Sequence, residues 1–241
     1  MEPYASYTNS ISEGAGGKTT GAFFDFDGTI IASHSIKEIF IERFKSGEVT
    51  AQEIYDVLSM IPRYLLKSDS FEDIMAASIE NLRGMPEKKF VDVGQKVSRE
   101  QLAADVFPEV RAMIQAHQEK GHTVVIVSSA TRYQIEPVAR ILGIDEILCT
   151  QLEVKAGKFT GKLLGDNCYG ENKAAAVRKF ARARRIGLKR SYFYSNGAED
   201  IPLLRAVGHP VVINPDSKLE AEAQKRGWLH HQLESRGAVG V

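Results

Sequence analysis

The chain has 241 residues, 43% of them hydrophobic and 26% charged, an ordinary composition for a soluble globular protein with one large domain or a core plus a smaller insert. Thirty-one basic residues balance thirty-one acidic ones, which argues against a protein defined by nucleic-acid binding. No apolar run reaches the length of a membrane span, and two cysteines without metal-ligand spacing, Cys149 and Cys168, suit a reduced, cytoplasmic protein.

Residues 1–20 are polar and rich in Gly, Ser and Thr, lack the apolar stretch of a signal peptide, and are expected to form a flexible tail. Within them Ser12–Thr19 has the look of a phosphate-binding P-loop. Ser12 stands where the first glycine is required, however, and neither a strand before nor a helix after supports that reading. Order is expected from Gly21. Ala22-Phe23-Phe24 is a short apolar run that stops at Asp25-Phe26-Asp27-Gly28-Thr29, the pattern of a buried strand ending at the carboxyl edge of a parallel sheet.

Residues 32–103 contain no convincing strand. Ile36, Phe40 and Phe44 are spaced helically, as are Ile54, Val57, Leu58 and Ile61. Ser70-Phe-Glu-Asp73 resembles a capping box, and Pro86 suits a helix start. Met60–Leu66 suits helix packing or an apolar substrate pocket. The segment reads as a helical cap inserted after the first strand. Strands and helices then alternate. Thr123–Val127 ends at Ser128, Glu146–Cys149 is a weaker strand, Ser191–Tyr194 ends at Ser195-Asn196-Gly197, and Pro210–Ile213 ends at Asn214. Between them, helices are expected from Pro108 to Gly121, before Gly143, and over 172–185; Leu152–Thr160 reads as a β-hairpin. His117 lies on an apolar helical stripe as a packed side chain, Trp228 suits a core anchor, and His230-His231 suit an exposed end followed by a tail or linker over 231–241. The expected fold is α/β, a doubly wound parallel sheet built from 21–31 and 104–230, with the cap between.

Asp25 and Asp27 lie two apart at a strand end, so both carboxylates can face one cleft. Phosphoryl transfer needs a nucleophile, a proton donor and charge neutralisation. Paired carboxylates supply the first two and can hold a hard cation. Ser128 offers a hydroxyl to a phosphate oxygen, Lys173 a positive charge, and Asp200 a carboxylate to orient the metal through water. All fall where doubly wound folds place their sites.

Phe24-Asp25-Phe26-Asp27-Gly28-Thr29 resembles the first motif of the haloacid dehalogenase superfamily. Val124–Ser128 resembles its second motif, Lys173 its third, and Ser195–Asp200 its acidic fourth. A helical cap between the first two motifs resembles the phosphoserine phosphatase-like branch. Within that branch, residues 121–131, 148–150 and 194–204 look most like the phosphatase-like domains that precede lysophosphatidate acyltransferase domains in bacterial fusion proteins. The resemblance implies a magnesium-dependent phosphomonoesterase. In it Asp25 would be the nucleophile and Asp27 the acid and base. Ser128 and Lys173 would hold the phosphoryl group. Asp25, Asp27 through its carbonyl, Asn196 and Asp200 would surround the metal. The substrate would be a small phosphate ester, including a phospholipid precursor or headgroup. The pattern departs at Asn196, where the superfamily usually has an aspartate.

Phosphoserine phosphatase proper is an alternative. That family has a glutamate nine residues after the nucleophile and an arginine in the cap; here those places hold His34 and residues 73–78, which contain no arginine. A domain that binds phosphate compounds without turning them over is the third reading. Residues 172–198 carry eight basic side chains and no acid, as a solvated helix face or as a surface for anionic substrates or lipid headgroups.

Overall fold

The computed structural model describes residues 7, 8, 11, 16–65 and 70–234, with residues 60–65 described by backbone alone. Six strands form one parallel sheet in the order β3-β2-β1-β6-β7-β8. They are β1 (Gly21–Phe24), β2 (Thr123–Thr131), β3 (Glu146–Thr150), β6 (Tyr192–Ser195), β7 (His209–Ile213) and β8 (Leu229–His231). The remaining two, β4 (Leu152–Lys155) and β5 (Lys158–Leu163), make the expected antiparallel hairpin.

The central strands carry near-continuous apolar runs, Ala22–Phe24, Val124–Val127 and Tyr192–Tyr194, because both faces of the sheet are covered. Successive side chains point to opposite faces. Ala22, Phe24, Val124, Ile126, Tyr194 and Val211 therefore join one buried cluster, while Phe23, Val125, Val127, Phe193 and Val212 join the other. Helix α5 (Pro108–Glu119) covers the first face with Val110, Met113 and Ile114. Helix α7 (Gly170–Arg184) covers the second with Ala174, Val177 and Ala181. Helices α6 (Arg132–Ile141), α8 (Ile201–Leu204) and α9 (Ser217–Arg226) complete the core layers. This is the α/β doubly wound sheet that the alternation of apolar runs implies.

The insert contains α1 (Ser35–Lys45), α2 (Ala51–Leu65), α3 (Phe71–Glu80) and α4 (Glu87–Val97), the last continuing into a π-helical turn, Ser98–Leu102. Ser70 and Asp73 form the capping box reciprocally, and Pro86 stands just before α4. The segments entering and leaving the insert pair with each other: Ile31 bridges Val106, the Ala32 amide donates to the Asp105 carbonyl and the Phe107 amide to the Ile30 carbonyl. The insert also leans on the hairpin through Gly84, Met85 and Glu87, which bond to the Phe159 and Gly157 backbone. The apolar stretch Met60–Leu66 and part of the Ser12–Thr19 segment lie outside the side chains described.

Three expectations need correction. Tyr7 and Ile11 are buried in the first core cluster, so at these two positions the chain is held by its apolar side chains rather than being a flexible tail. His231 is not exposed and does not begin a tail. It closes β8 beside Ile213, is 3% exposed, and packs against the Tyr7 ring at 5.1 Å. Trp228 is only partly buried, against the second cluster, with the Arg226 guanidinium over its ring. His117, by contrast, is fully buried, as its stripe implies.

Candidate active site

Register places the functional groups. Phe24 pairs with Ile126 on one side and Tyr194 on the other, and the Asp25 amide continues the ladder to the Tyr194 carbonyl at 2.9 Å. Asp25, Ser128 and Ser195-Asn196 therefore emerge at one carboxyl edge from three adjacent strands. Ser128 is 1% exposed, and its Oγ accepts from the Ala130 amide at 3.1 Å, next to a shift in register between Ser128 and Thr131.

Lys173 enters from the first turn of α7. Its Nζ donates to Asp25 Oδ1 at 2.9 Å and to Asp200 Oδ2 at 2.8 Å, all three groups being buried. Asp200 Oδ2 also accepts from Ser195 Oγ at 2.7 Å, whereas Asp200 Oδ1 is buried without a hydrogen-bond partner. One ammonium thus faces two carboxylates. Burial is the largest influence on Asp25 and raises its pKa to about 7; Lys173 pulls it down and Asp200 pushes it further up. For Lys173 burial works against the charge, but Asp200 and Asp25 outweigh it and the ammonium stays protonated far above neutrality.

Asp27 does not join this triad. Its Oδ1 accepts from the Ser35 amide at 2.7 Å and its Oδ2 from Ser35 Oγ at 3.1 Å, at the start of α1. Burial raises its pKa, and the two bonds from Ser35 oppose that rise. Asn196 Oδ1 takes a long bond, 3.3 Å, from Thr29 Oγ1. Its amide lies against Gly28, whose φ is +72° and whose missing Cβ would fall 2.2 Å from Asn196 Nδ2. The Glu199 carboxylate folds back over Gly197, and burial raises its pKa.

A haloacid dehalogenase-like hydrolase family model matches residues 22–205, three-quarters of the chain and every residue of this site. The chain belongs to that family. Among its relatives, a phosphoserine phosphatase of Mycobacterium tuberculosis is 31% identical over 215 residues, covering 87% of this chain and 70% of its own. A histidinol-phosphatase of Neisseria meningitidis is 30% identical over 215 residues, covering 86% of this chain and 96% of its own. A solved structure of a Bordetella pertussis protein of unknown function superposes with a TM-score of 0.78 at 24% identity, covering 88% of this chain and 98% of that one. This member of the hydrolase family therefore has phosphatases among its relatives, and those are named for different substrates.

The family's metal fits the residues present. Among the described residues, no three His, Cys, Asp or Glu side chains form a group able to hold a metal. Magnesium, however, takes hard oxygen donors, keeps several waters and needs only one or two carboxylates. Asp25, the Asp27 carbonyl and the Asn196 amide oxygen are such donors, and the unpartnered Asp200 Oδ1 is a buried acceptor suited to a metal-bound water. Two buried carboxylates against one ammonium also leave a negative charge that a cation would offset.

Sequence reasoning overlooked Ser35, Ser195 as the partner of Asp200, and Gln134, which donates to Ser35 Oγ at 3.2 Å. The available signal was local: a serine opening the first helix after the nucleophile strand, where the amide and hydroxyl of one residue can both meet a carboxylate.

Proposed function

We propose that the chain is a magnesium-dependent phosphomonoesterase acting through an aspartyl phosphate on a small-molecule or lipid-headgroup phosphate. The observation that carries this is Lys173 bridging Asp25 and Asp200, with Asp200 Oδ1 left unpartnered. An ammonium has three donors. Two hold the carboxylates, and the third remains for a phosphoryl oxygen.

An Asp25 carboxylate oxygen would attack phosphorus, forming an acyl phosphate as the ester P–O bond breaks. Asp27 would give its proton to the departing alkoxide. It would then take a proton from the water that attacks phosphorus, breaking the bond to Asp25 and releasing inorganic phosphate. Ser128 Oγ and Lys173 would hold the phosphoryl oxygens as their charge redistributes. The bound cation would add electrostatic stabilisation of the phosphoryl group.

Of the six exposed large hydrophobic side chains among the described residues, Ile36, Phe44, Tyr55 and Leu58 belong to α1 and α2. An insert carrying apolar side chains favours an ester with an apolar or glycerol-like group. Phosphoserine phosphatase is the second reading, favoured by the relative of that name. Against it, His34 occupies the place of the family's glutamate, and residues 73–78 offer no arginine for a substrate carboxylate. Cys149 and Cys168 are both free thiols, which supports a cytoplasmic setting, and no helix among the described residues is long and apolar enough to cross a membrane.

The test is a panel of phosphate esters assayed with magnesium, phosphoserine and histidinol phosphate beside glycerol phosphates and a lysophosphatidate. Glycerol- or lipid-bearing esters are expected to give the higher kcat/KM. Selective hydrolysis of phosphoserine would replace the first reading with the second.

A further inference from the structure

Ser35 lies in the insert and Asp27 in the core, yet two hydrogen bonds join them. Gln134, at the start of α6, reaches Ser35 from a third part of the chain. Ser35 is wholly buried and Gln134 2% exposed. We propose that Ser35 is a positioning residue that holds the Asp27 carboxylate in its proton-transfer orientation, and that Gln134 and Thr131 fix the direction of the Ser35 hydroxyl. This rests on the role of Asp27 given above.

The direction follows from donors and acceptors. The Thr131 backbone amide can only donate, and at 2.7 Å it does so to Gln134 Oε1, which also accepts from Thr131 Oγ1 at 2.5 Å. That sets the Gln134 amide, so Nε2 is the atom facing Ser35 and must donate to Ser35 Oγ. The Ser35 hydroxyl proton is then left to point at Asp27 Oδ2, while the Ser35 amide holds Oδ1. Each carboxylate oxygen keeps a second lone pair, so Asp27 can still exchange a proton with the substrate side. Its swing about χ1 and χ2 is what the two bonds remove. Correct placement of a proton-transfer group is worth far more than the bonds themselves, since general acid–base catalysis contributes roughly 10²–10⁴-fold.

The chain of contacts also joins three parts of the molecule. Thr131 ends β2, the strand that bears Ser128; Ser35 begins α1 of the insert; Asp27 follows β1. Displacing the start of α1 from the core would release Asp27, so the carboxylate is in place only when the insert is seated.

The experiment compares Ser35→Ala, Ser35→Thr and Gln134→Leu with wild type on two esters, 4-nitrophenyl phosphate and glycerol 3-phosphate, with magnesium present. Nitrophenolate leaves without needing a proton and an alkoxide does not. Ser35→Ala is expected to lower kcat on glycerol phosphate by about tenfold or more, with KM within about twofold, and to leave the first-turnover release of nitrophenolate within about threefold. Gln134→Leu should go the same way by a smaller factor, and Ser35→Thr should recover most of the rate. Equal losses on both esters, a loss confined to KM, or wild-type rates in Ser35→Ala would overturn the positioning role. The reading beneath it is checked separately by Asp25→Asn: if turnover in wild type does not depend on Asp25, that reading falls first, whatever the Ser35 variants do.

Discussion

Phe71, the first residue of α3 in the insert, stacks on Tyr169, the residue before α7, with ring centroids 4.1 Å apart and planes 19° from parallel. Four residues beyond Tyr169 is Lys173, so the insert touches the core through an aromatic pair one helical turn from the ammonium that bridges Asp25 and Asp200. Such a pair contributes about 0.5–1.5 kcal/mol beyond its buried area. Phe71→Ala is expected to raise amide hydrogen exchange in α3 by about tenfold without abolishing turnover. Unchanged protection in α3 would show that the stack does not hold the insert.

Asp25→Asn should abolish phosphatase activity and leave the fold intact, because an amide cannot form an acyl phosphate. Asp27→Asn should turn over poorly yet accumulate a covalent phosphoenzyme from 4-nitrophenyl phosphate, because the good leaving group needs no proton while the second step lacks its base. Acid-quenched mass spectrometry reads the added phosphoryl group. A phosphoenzyme in Asp25→Asn would displace Asp25 as nucleophile.

Asn196→Asp adds a charge at a position where the side-chain shape is unchanged. With Asn196 as a direct ligand, the apparent magnesium affinity should rise by about tenfold, roughly 1.4 kcal/mol. Glu199 is the rival ligand, but it would first have to leave its place over Gly197. Magnesium titrations of Asn196→Asp, Asn196→Ala and Glu199→Gln separate the two. A larger loss in Glu199→Gln than in Asn196→Ala would favour Glu199, and an unchanged dependence in all three would remove this loop from the metal site.

His117 predicts an acid lability unrelated to catalysis. Its Nε2 meets the Tyr194 hydroxyl at 2.7 Å and its Nδ1 the His122 Nδ1 at 2.7 Å, and burial lowers its pKa to about 3. The unfolded chain therefore binds a proton at this site that the folded chain refuses. The stability that follows from a neutral His117 is complete above about pH 6.5 and is lost as pH falls toward 3, at roughly 1.4 kcal/mol per pH unit. Urea unfolding of wild type and His117→Gln at pH 7 and 4.5 should show the gap between them narrowing at the lower pH. A constant gap would mean that His117 titrates normally.

Much of the fold was legible because parallel strands buried on both faces must be apolar throughout. Val124–Val127 and Pro210–Ile213 announce themselves, and the residues that end them mark the edge where a site forms. Asp25 was legible for the same reason, whereas Lys173, at a helix start, and Asp200, in the turn after a strand, were legible from the family motifs that their segments resemble. Asp27 was found, but its partner was not: Ser35 is one serine among many in the sequence, and although its place at the start of α1 is a local cue, its hydrogen bond with Gln134 spans 99 residues of sequence, which no local pattern encodes. Tyr7 was missed because the two tyrosines of a polar segment, Tyr4 and Tyr7, are too few to set a periodicity that reveals it. Its hydroxyl nevertheless meets that of Tyr194 at 2.8 Å, and its ring lies against His231. The burial of His231 follows from β8, a three-residue strand too short to show alternation.

The contact between Gly28 and Asn196 ties the fate of two distant codons together. A methyl group at position 28 would collide with the amide of residue 196, and the +72° backbone angle there is strained for any side chain. Drift in one loop is thus constrained by the other. Descendants of this sequence can exchange Asn196 for an isosteric aspartate in a single step, but a bulkier residue at 196 gains no room from position 28, since glycine is already the smallest.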